Sequence, residues 1–201
     1  MNERRVARLI TDAVVRRPVL WRLLRGRLRD LFERIAPTWE ARLGPHHLTA
    51  LELALADLER PRRILDLGTG TGVAAVALAR LFPEGDVVGV DFAPAMVAEA
   101  ERSRPADLAG RLRFQVGDAA RLPFGDADFE LVVLMNAIPF FDELARVTAP
   151  GGAVVLSFSR GSETPIYVAD ERLRRELGRR GFADFATFAA EPASAFRARR
   201  R

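Results

Sequence analysis

The sequence predicts an α/β fold, a doubly wound and mostly parallel sheet preceded by a helical segment. Three observations predict it. From residue 62 onward, short apolar runs alternate with segments of helical periodicity, the pattern of strand–helix–strand units. The run Phe129–Met135 is apolar nearly throughout, as a strand buried on both faces should be. A glycine-rich turn, Gly68-Thr69-Gly70-Thr71-Gly72, joins the first apolar run to the first helical one. Ligands of such sheets bind beyond the C-terminal strand ends, near the point where strand order reverses.

Residues 3–17 and 19–35 read as helices broken at Pro18. Leu20, Leu23, Leu24, Leu28, Leu31, Phe32 and Ile35 recur at three- and four-residue spacing with arginines between them, an amphipathic pattern. Such a face packs against the body of a domain or lies on a membrane surface. Pro37 and the Gly44-Pro45 pair punctuate a linker. Residues 48–58 read as a helix that Thr49 would cap, with Glu52 three residues on. Strands are expected at 64–67, 87–91, 112–116, 129–135 and 152–158. Helices are expected at 73–82, at 94–104 with Pro94 in the first turn, at 141–147, and at 170–180, closed by Gly181. Residues 182–189 and 195–199, separated by Glu191-Pro192, read as a final antiparallel pair. The expected organisation is a helical lid over residues 1–60 and a sheet core over residues 61–201.

Composition bounds the chemistry. Hydrophobic residues make up 49% and charged residues 29% of the 201, a globular mix. No uncharged run exceeds 13 residues, whereas a membrane-spanning helix needs ~18 or more apolar ones. The N-terminus lacks an apolar signal core followed by a small-residue cleavage site, and the expected location is cytoplasmic. The absence of cysteine excludes a disulfide scaffold, a cysteine zinc site and a cysteine nucleophile. His46 and His47 are the only histidines, so no metal centre is expected. All 31 basic residues are arginine, which excludes a lysine Schiff base or a lysine general base. Residues 1–42 hold 11 Arg against 5 acids and residues 172–201 hold 9 Arg against 3, while the middle is acidic. An acidic centre suits a small cationic ligand. Basic flanks suit RNA or anionic lipid.

Glycines permit the tight loop turn and close approach of backbone to a ligand, and the helix that follows offers unpaired N–H groups. Residues 70–75 fit the G-x-G-x-x-A fingerprint, and Asp91 ends the second strand where an acid would hold a ribose diol. These two features suit a nicotinamide dinucleotide and a sulfonium nucleoside alike. Asp66 and Asp118 separate them. Asp66 stands at the entrance of the loop, awkward beside a pyrophosphate and natural beside an ammonium or sulfonium group. Asp118, after the third strand, would meet an adenine amino group. Three acids at three strand ends make a site for a cationic nucleoside. Asp118 reads equally as a turn cap, and Asp66 as a loop-stabilising acceptor.

These segments resemble the class I S-adenosylmethionine-dependent methyltransferases. Residues 64–72 resemble their first motif, 88–91 the second, 117–124 the third and 129–136 the fourth-strand motif. Arg146-Val147-Thr148-Ala149-Pro150-Gly151-Gly152 resembles their turn before the fifth strand. The resemblance implies a seven-stranded Rossmann-like sheet and S-adenosylmethionine as cofactor. It places Asp66, Gly68, Thr69, Gly70 and Gly72 along the methionine moiety, Asp91 on the ribose hydroxyls, Phe92 against adenine, and Asp118 and Ala119 at its edge. The segment Phe32-Glu33-Arg34-Ile35-Ala36-Pro37-Thr38-Trp39-Glu40 is similar to one in ubiquinone/menaquinone-type methyltransferases, where an aromatic folds over the cofactor. Trp39 stands in that place, offering a π face without a hydroxyl. It reads equally as a core aromatic.

Methyl transfer is an in-line displacement that needs positioning and exclusion of water, and a base only for an acidic acceptor. The candidates for a direct chemical role are His46 and His47 in the lid, Tyr167 after the fifth strand, and Asn136 at the end of the fourth. Asn136-Ala137-Ile138-Pro139-Phe140 partly matches the N-P-P-F/Y motif with which amine methyltransferases aim a nitrogen. Capping, packing and loop structure account equally for these four. The expected partner is a small apolar or aromatic molecule, since residues 138–141 are greasy. The alternatives are an RNA methyltransferase using the arginine flanks, a non-catalytic S-adenosylmethionine-binding protein and a nicotinamide-dependent oxidoreductase. Peripheral membrane contact through the N-terminal helix is compatible with the sequence, and the oligomeric state is open.

Overall fold

A computed structural model describes residues 3–42 and 46–201. Gly44-Pro45 and the middle of the expected lid segment 39–47 lie outside the described residues. Helices α1 (Glu3–Arg16) and α2 (Trp21–Ile35) are separated by a 3-10 turn at Pro18–Leu20, as Pro18 dictates. Two more 3-10 turns, Ala36–Thr38 and Glu40–Arg42, precede α3 (Thr49–Leu55). Then follow β1 (Arg63–Leu67), α4 (Val73–Leu81), β2 (Asp86–Asp91), α5 (Pro94–Ser103), β3 (Leu112–Val116) and β4 (Phe129–Met135). The chain ends with α6 (Phe141–Val147), β5 (Thr148–Phe158), α7 (Asp170–Gly178), β6 (Phe182–Ala190) and β7 (Ala193–Arg200).

The seven strands form one sheet in the order β3-β2-β1-β4-β5-β7-β6. Strands β1 to β5 pair in parallel, and β7 runs antiparallel between β5 and β6. Both faces are buried, which is why β4 is apolar without alternation. Val132 and Leu134 join one core with Leu65, Val90, Leu156, α6 and α7. Leu131 and Val133 join the other with Ile64, Val87, Leu112 and helices α3, α4 and α5. Val14, Trp21 and Leu28 place α1 and α2 in the first core. Helix α3 packs on the second, where Arg197 of β7 donates to the Ala54 carbonyl at 2.7 Å and pairs with Asp57. Strand order reverses between β1 and β4, so the cleft for a ligand opens beyond their C-terminal ends.

Three local expectations are corrected. Leu48, not Thr49, caps α3, and no side-chain capping bond forms; the Thr49 amide donates to the His46 carbonyl at 3.3 Å. Strand β5 begins at Thr148, four residues early, because Thr148 pairs with Phe129 and an irregularity between Phe129 and Leu131 absorbs the Pro-Gly-Gly stretch. Helix α7 ends at Gly178, and Arg179–Arg180 form the turn into Gly181, whose φ of +86° ends it. Among the described residues no helix is long and apolar enough to cross a membrane.

Candidate functional site

Strand β1 delivers Asp66 into the loop, and β2 delivers Asp91 beside it. The Gly68 and Thr69 amides both donate to the Val90 carbonyl, at 2.8 and 3.0 Å, which lashes the loop to the end of β2. Gly68 has φ +74°, and a Cβ there would lie 2.4 Å from the Cβ of Ala137. Gly70, at φ +54°, lies under Trp39: a Cβ would meet the indole nitrogen at 3.3 Å. Backbone conformation and clearance therefore both exclude larger residues at Gly68.

Asp66 is fully buried. Its Oδ2 accepts the Thr69 hydroxyl at 2.6 Å, and its Oδ1 has no hydrogen-bond partner among the described residues. Burial pushes its carboxyl up to about 7; the Thr69 hydroxyl opposes the rise and the Asp91 charge adds to it. Asp91 accepts the Gly70 amide at 3.0 Å and the Ala93 amide at 2.9 Å. Burial raises it to about 6 against the pull of those amides.

Helix α2 lies across this cleft. The Trp21 ring meets Phe92 and Phe140 edge-on, with centroids 5.2 and 5.4 Å apart, and Phe32 meets Phe92 at 5.9 Å and Trp39 at 5.7 Å. Trp21 Nε1 donates to Asp118 Oδ1 at 2.7 Å, and Arg25 Nη1 donates to Oδ2 at 2.8 Å. Oδ1 also accepts the Ala120 amide at 2.9 Å. Farther along α2, Glu33 accepts the Ala95 amide in the first turn of α5 at 3.3 Å.

Two adjoining cavities remain. The first, about 70 Å³, is bounded by Gly68, Thr69, Asp91, Phe92 and Ala119 below and by Trp21, Leu28, Phe32 and Trp39 above. The second, about 250 Å³, shares Phe32, Trp39, Asn136 and Ile166 with it and adds Leu31, Ile35, Arg4, Ser159 and Arg160. Of the expected cofactor residues, Trp39, Gly68, Thr69, Asp91, Phe92, Ala119 and Asn136 thus line the first cavity. Asp66, Gly70, Gly72 and Asp118 stand one contact behind it.

The candidates for a direct chemical role fall elsewhere or are otherwise engaged. His46 is exposed and His47 partly buried in the turn before α3, and neither lines a cavity. Tyr167 packs against Phe158 at 5.0 Å, with the Arg8 guanidinium 6.0 Å from its ring, also outside both cavities. Asn136 lines both, but its amide clamps β4 to β5: Nδ2 donates to Ser159 Oγ and Oδ1 accepts the Ser159 amide, each at 2.9 Å. Leu28 is expected only as part of an amphipathic helix face, Trp21 only as a buried residue contributing little to the site, and Arg25 not at all. The signal available was their spacing: residues 21, 25 and 28 share one helical face.

Residues 64–152 match the family model described as "Methyltransferase domain". The chain is 44% identical over 115 residues to the demethylmenaquinone methyltransferase of Thermus thermophilus, which covers 53% of this chain and 50% of that one. It is 34% identical over 148 residues to the trans-aconitate 2-methyltransferase of Methylobacterium nodulans, covering 71% and 54%. The chain thus spans about half the length of these curated relatives. Among solved structures, a SAM-dependent methyltransferase from Aquifex aeolicus superposes with a TM-score of 0.66 at 16% identity, over 82% of this chain and 97% of that one.

Proposed function

Through residues 64–152 the chain belongs to the class I S-adenosylmethionine-dependent methyltransferase family, and from that premise we propose that it binds S-adenosylmethionine and transfers the methyl group to a small apolar or aromatic acceptor. One observation carries the reading: two buried carboxylates, Asp66 and Asp91, flank a glycine loop at the strand-order reversal, and one of them keeps a partnerless oxygen.

The residues fit the cofactor. The lone Oδ1 of Asp66 suits an ammonium group, and no pyrophosphate would be tolerated beside that carboxylate. Asp91 keeps lone pairs for a ribose diol while its backbone bonds fix its orientation. Gly68 and Gly70 allow the positive-φ turn that holds the loop against Ala137 and beneath Trp39. The cofactor supplies a sulfonium-activated methyl carbon.

The chain's own part is to position and to dry. Among the residues lining the two cavities, Asp91, Arg4 and Arg160 are the only ionisable ones, and none stands ready as a neutral-range base toward the second cavity. We assign the acceptor to that cavity, where Leu31, Phe32, Ile35, Trp39 and Ile166 form an apolar wall. We take the lid expected over residues 1–60 to act through α1 and α2, which pack on the first core beside the cleft, and the turns through residue 42, while α3 packs on the second core. A cytoplasmic location fits this small-molecule chemistry.

Calorimetry with S-adenosylhomocysteine and with NAD tests the cofactor assignment. Heat from the sulfur nucleoside and none from NAD is expected; the reverse overturns it.

A further inference from the structure

We infer that the Trp21 indole, held against Asp118 and Phe92, occupies the place of the cofactor's adenine and that the cofactor enters by displacing it. The inference rests on the cofactor assignment above and adds to it a closed state held by α2.

Asp118, Phe92 and Ala119 are the residues expected to receive the base. Trp21 already makes the contacts a base would make there. Its N–H donates to Asp118 Oδ1 at 2.7 Å, as an exocyclic amino group would, and its ring lies against Phe92 at 5.2 Å. Asp118 Oδ1 is already engaged by the Trp21 indole and the Ala120 amide, while Oδ2 pairs with Arg25. Nor can a base slip between the rings. Stacking between two aromatic faces needs parallel planes about 7 Å apart, two van der Waals separations. The planes of Trp21 and Phe92 cross at 65°. The cavity left beside them is about 70 Å³, well short of the ~300 Å³ at the low end for ligand pockets. Trp21 in this position and a bound nucleoside are therefore mutually exclusive.

The surroundings suit a movable element. Helix α2 is bounded by 3-10 turns at Pro18–Leu20 and Ala36–Thr38. Val19, in the turn before it, and Leu23, on its outer face, are 71% and 78% exposed, so among the described residues that side is left uncovered. In the closed state Trp21, itself 4% exposed, shields Phe92 and Phe140 from water. Phe32 and Trp39 follow on the same segment and line the second cavity, so displacing Trp21 also reshapes the wall of the acceptor site. Cofactor entry would thereby precede acceptor binding.

The chain labelled with 5-fluorotryptophan carries two fluorine reporters, assigned by Trp21→Phe. On saturation with S-adenosylhomocysteine, the Trp21 resonance is expected to move toward its solvent-exposed position and gain a solvent-isotope shift. Trp21→Ala should bind S-adenosylhomocysteine roughly tenfold or more tightly than the native chain, because the competing closed state is gone. Binding to the native chain with the Trp21 resonance unmoved overturns the inference and leaves the cofactor assignment standing. Affinity of Trp21→Ala equal to or weaker than native, in a folded variant, does the same. Should that variant fail to fold, the resonance of the native chain decides. Absence of binding to both chains overturns the cofactor assignment and this inference with it.

Discussion

Asp91 and Gly70 are joined across the mouth of the sheet: the carboxylate at the end of β2 accepts the amide in the middle of the glycine loop at 3.0 Å. The other oxygen holds the Ala93 amide at 2.9 Å. One buried side chain thus shapes two turns and faces the cavity between them.

Asp91→Ala should therefore do two things. It leaves two amides without acceptors, at about 1–3 kcal/mol each where they remain buried. It also removes the charge-assisted bonds to a ribose diol, weakening S-adenosylhomocysteine by roughly tenfold to a few hundredfold. Asp91→Asn keeps one acceptor and should fall between native and Ala in both. Chemical denaturation and calorimetry read the two effects separately. Unchanged affinity in a folded Asp91→Ala protein would remove Asp91 from the site.

The raised carboxyls give stability a pH dependence. Asp66 titrates near 7 and Asp91 near 6 in the folded chain, against 3.8 when unfolded. Between those limits the folded chain holds protons that the unfolded chain has released. Their contribution to stability is fully present below about pH 4 and is lost as pH rises through 6 and 7. Asp66→Asn, which never ionises, should gain stability relative to native as pH rises from about 5 to about 8. The affinity for a ligand carrying an ammonium group should rise over the same window in the native chain and rise less in the variant, where only Asp91 still titrates. Thermal melts and calorimetry at the two pH values check this; parallel stability curves would place Asp66 in the ordinary carboxylate range.

Gly68 is constrained twice, by a φ of +74° and by Ala137. The Cβ of Gly68→Ala would sit 2.4 Å from that of Ala137, so one of them must shift. The left-handed backbone alone costs about 1–2 kcal/mol for a residue other than glycine. The double variant Gly68→Ala/Ala137→Gly removes the clash and keeps the backbone cost. It should recover part of the lost stability, never all of it. Denaturant midpoints of the single and double variants measure the coupling; strict additivity would mean that the two methyl groups do not meet.

What was legible in the sequence follows from range. Strand 129–135 is legible to the residue because, Glu130 aside, it is an apolar run buried on both faces; strand 112–116, at the edge of the sheet, alternates instead, with Arg113 exposed between buried Leu112 and Phe114. Asp66 and Asp91 were legible because a carboxylate at the end of such a run stands out. The Trp21–Asp118 contact was not, since 97 residues separate its partners and only the packing of α2 brings them together. Residue type alone nominated His46, His47 and Tyr167. Titratability says nothing about position, and none of the three lines either cavity. Thr49 and Glu52 matched a capping pattern one residue out of phase with the helix that forms.

Asn136 offers the last test, between clamping and chemistry. It has φ +54°, a conformation in which asparagine and aspartate are at ease and alanine is not. Its amide holds Ser159 by two bonds, which fixes the C-terminal ends of β4 and β5 where the cavities join. Asn136→Asp keeps the acceptor for the Ser159 amide and the tolerance for positive φ, so it should cost under about 1 kcal/mol. Asn136→Ala loses both bonds and adds strain, for a cost of about 2 kcal/mol or more. Asn136→Gly relieves the strain without restoring the bonds and should lie between them. If Asn136 instead aims the acceptor's nitrogen, all three variants would retain near-native melting temperatures and lose turnover. Thermal denaturation of the series separates the cases: the order Asp, Gly, Ala in falling stability supports the clamp, and equal stabilities overturn it.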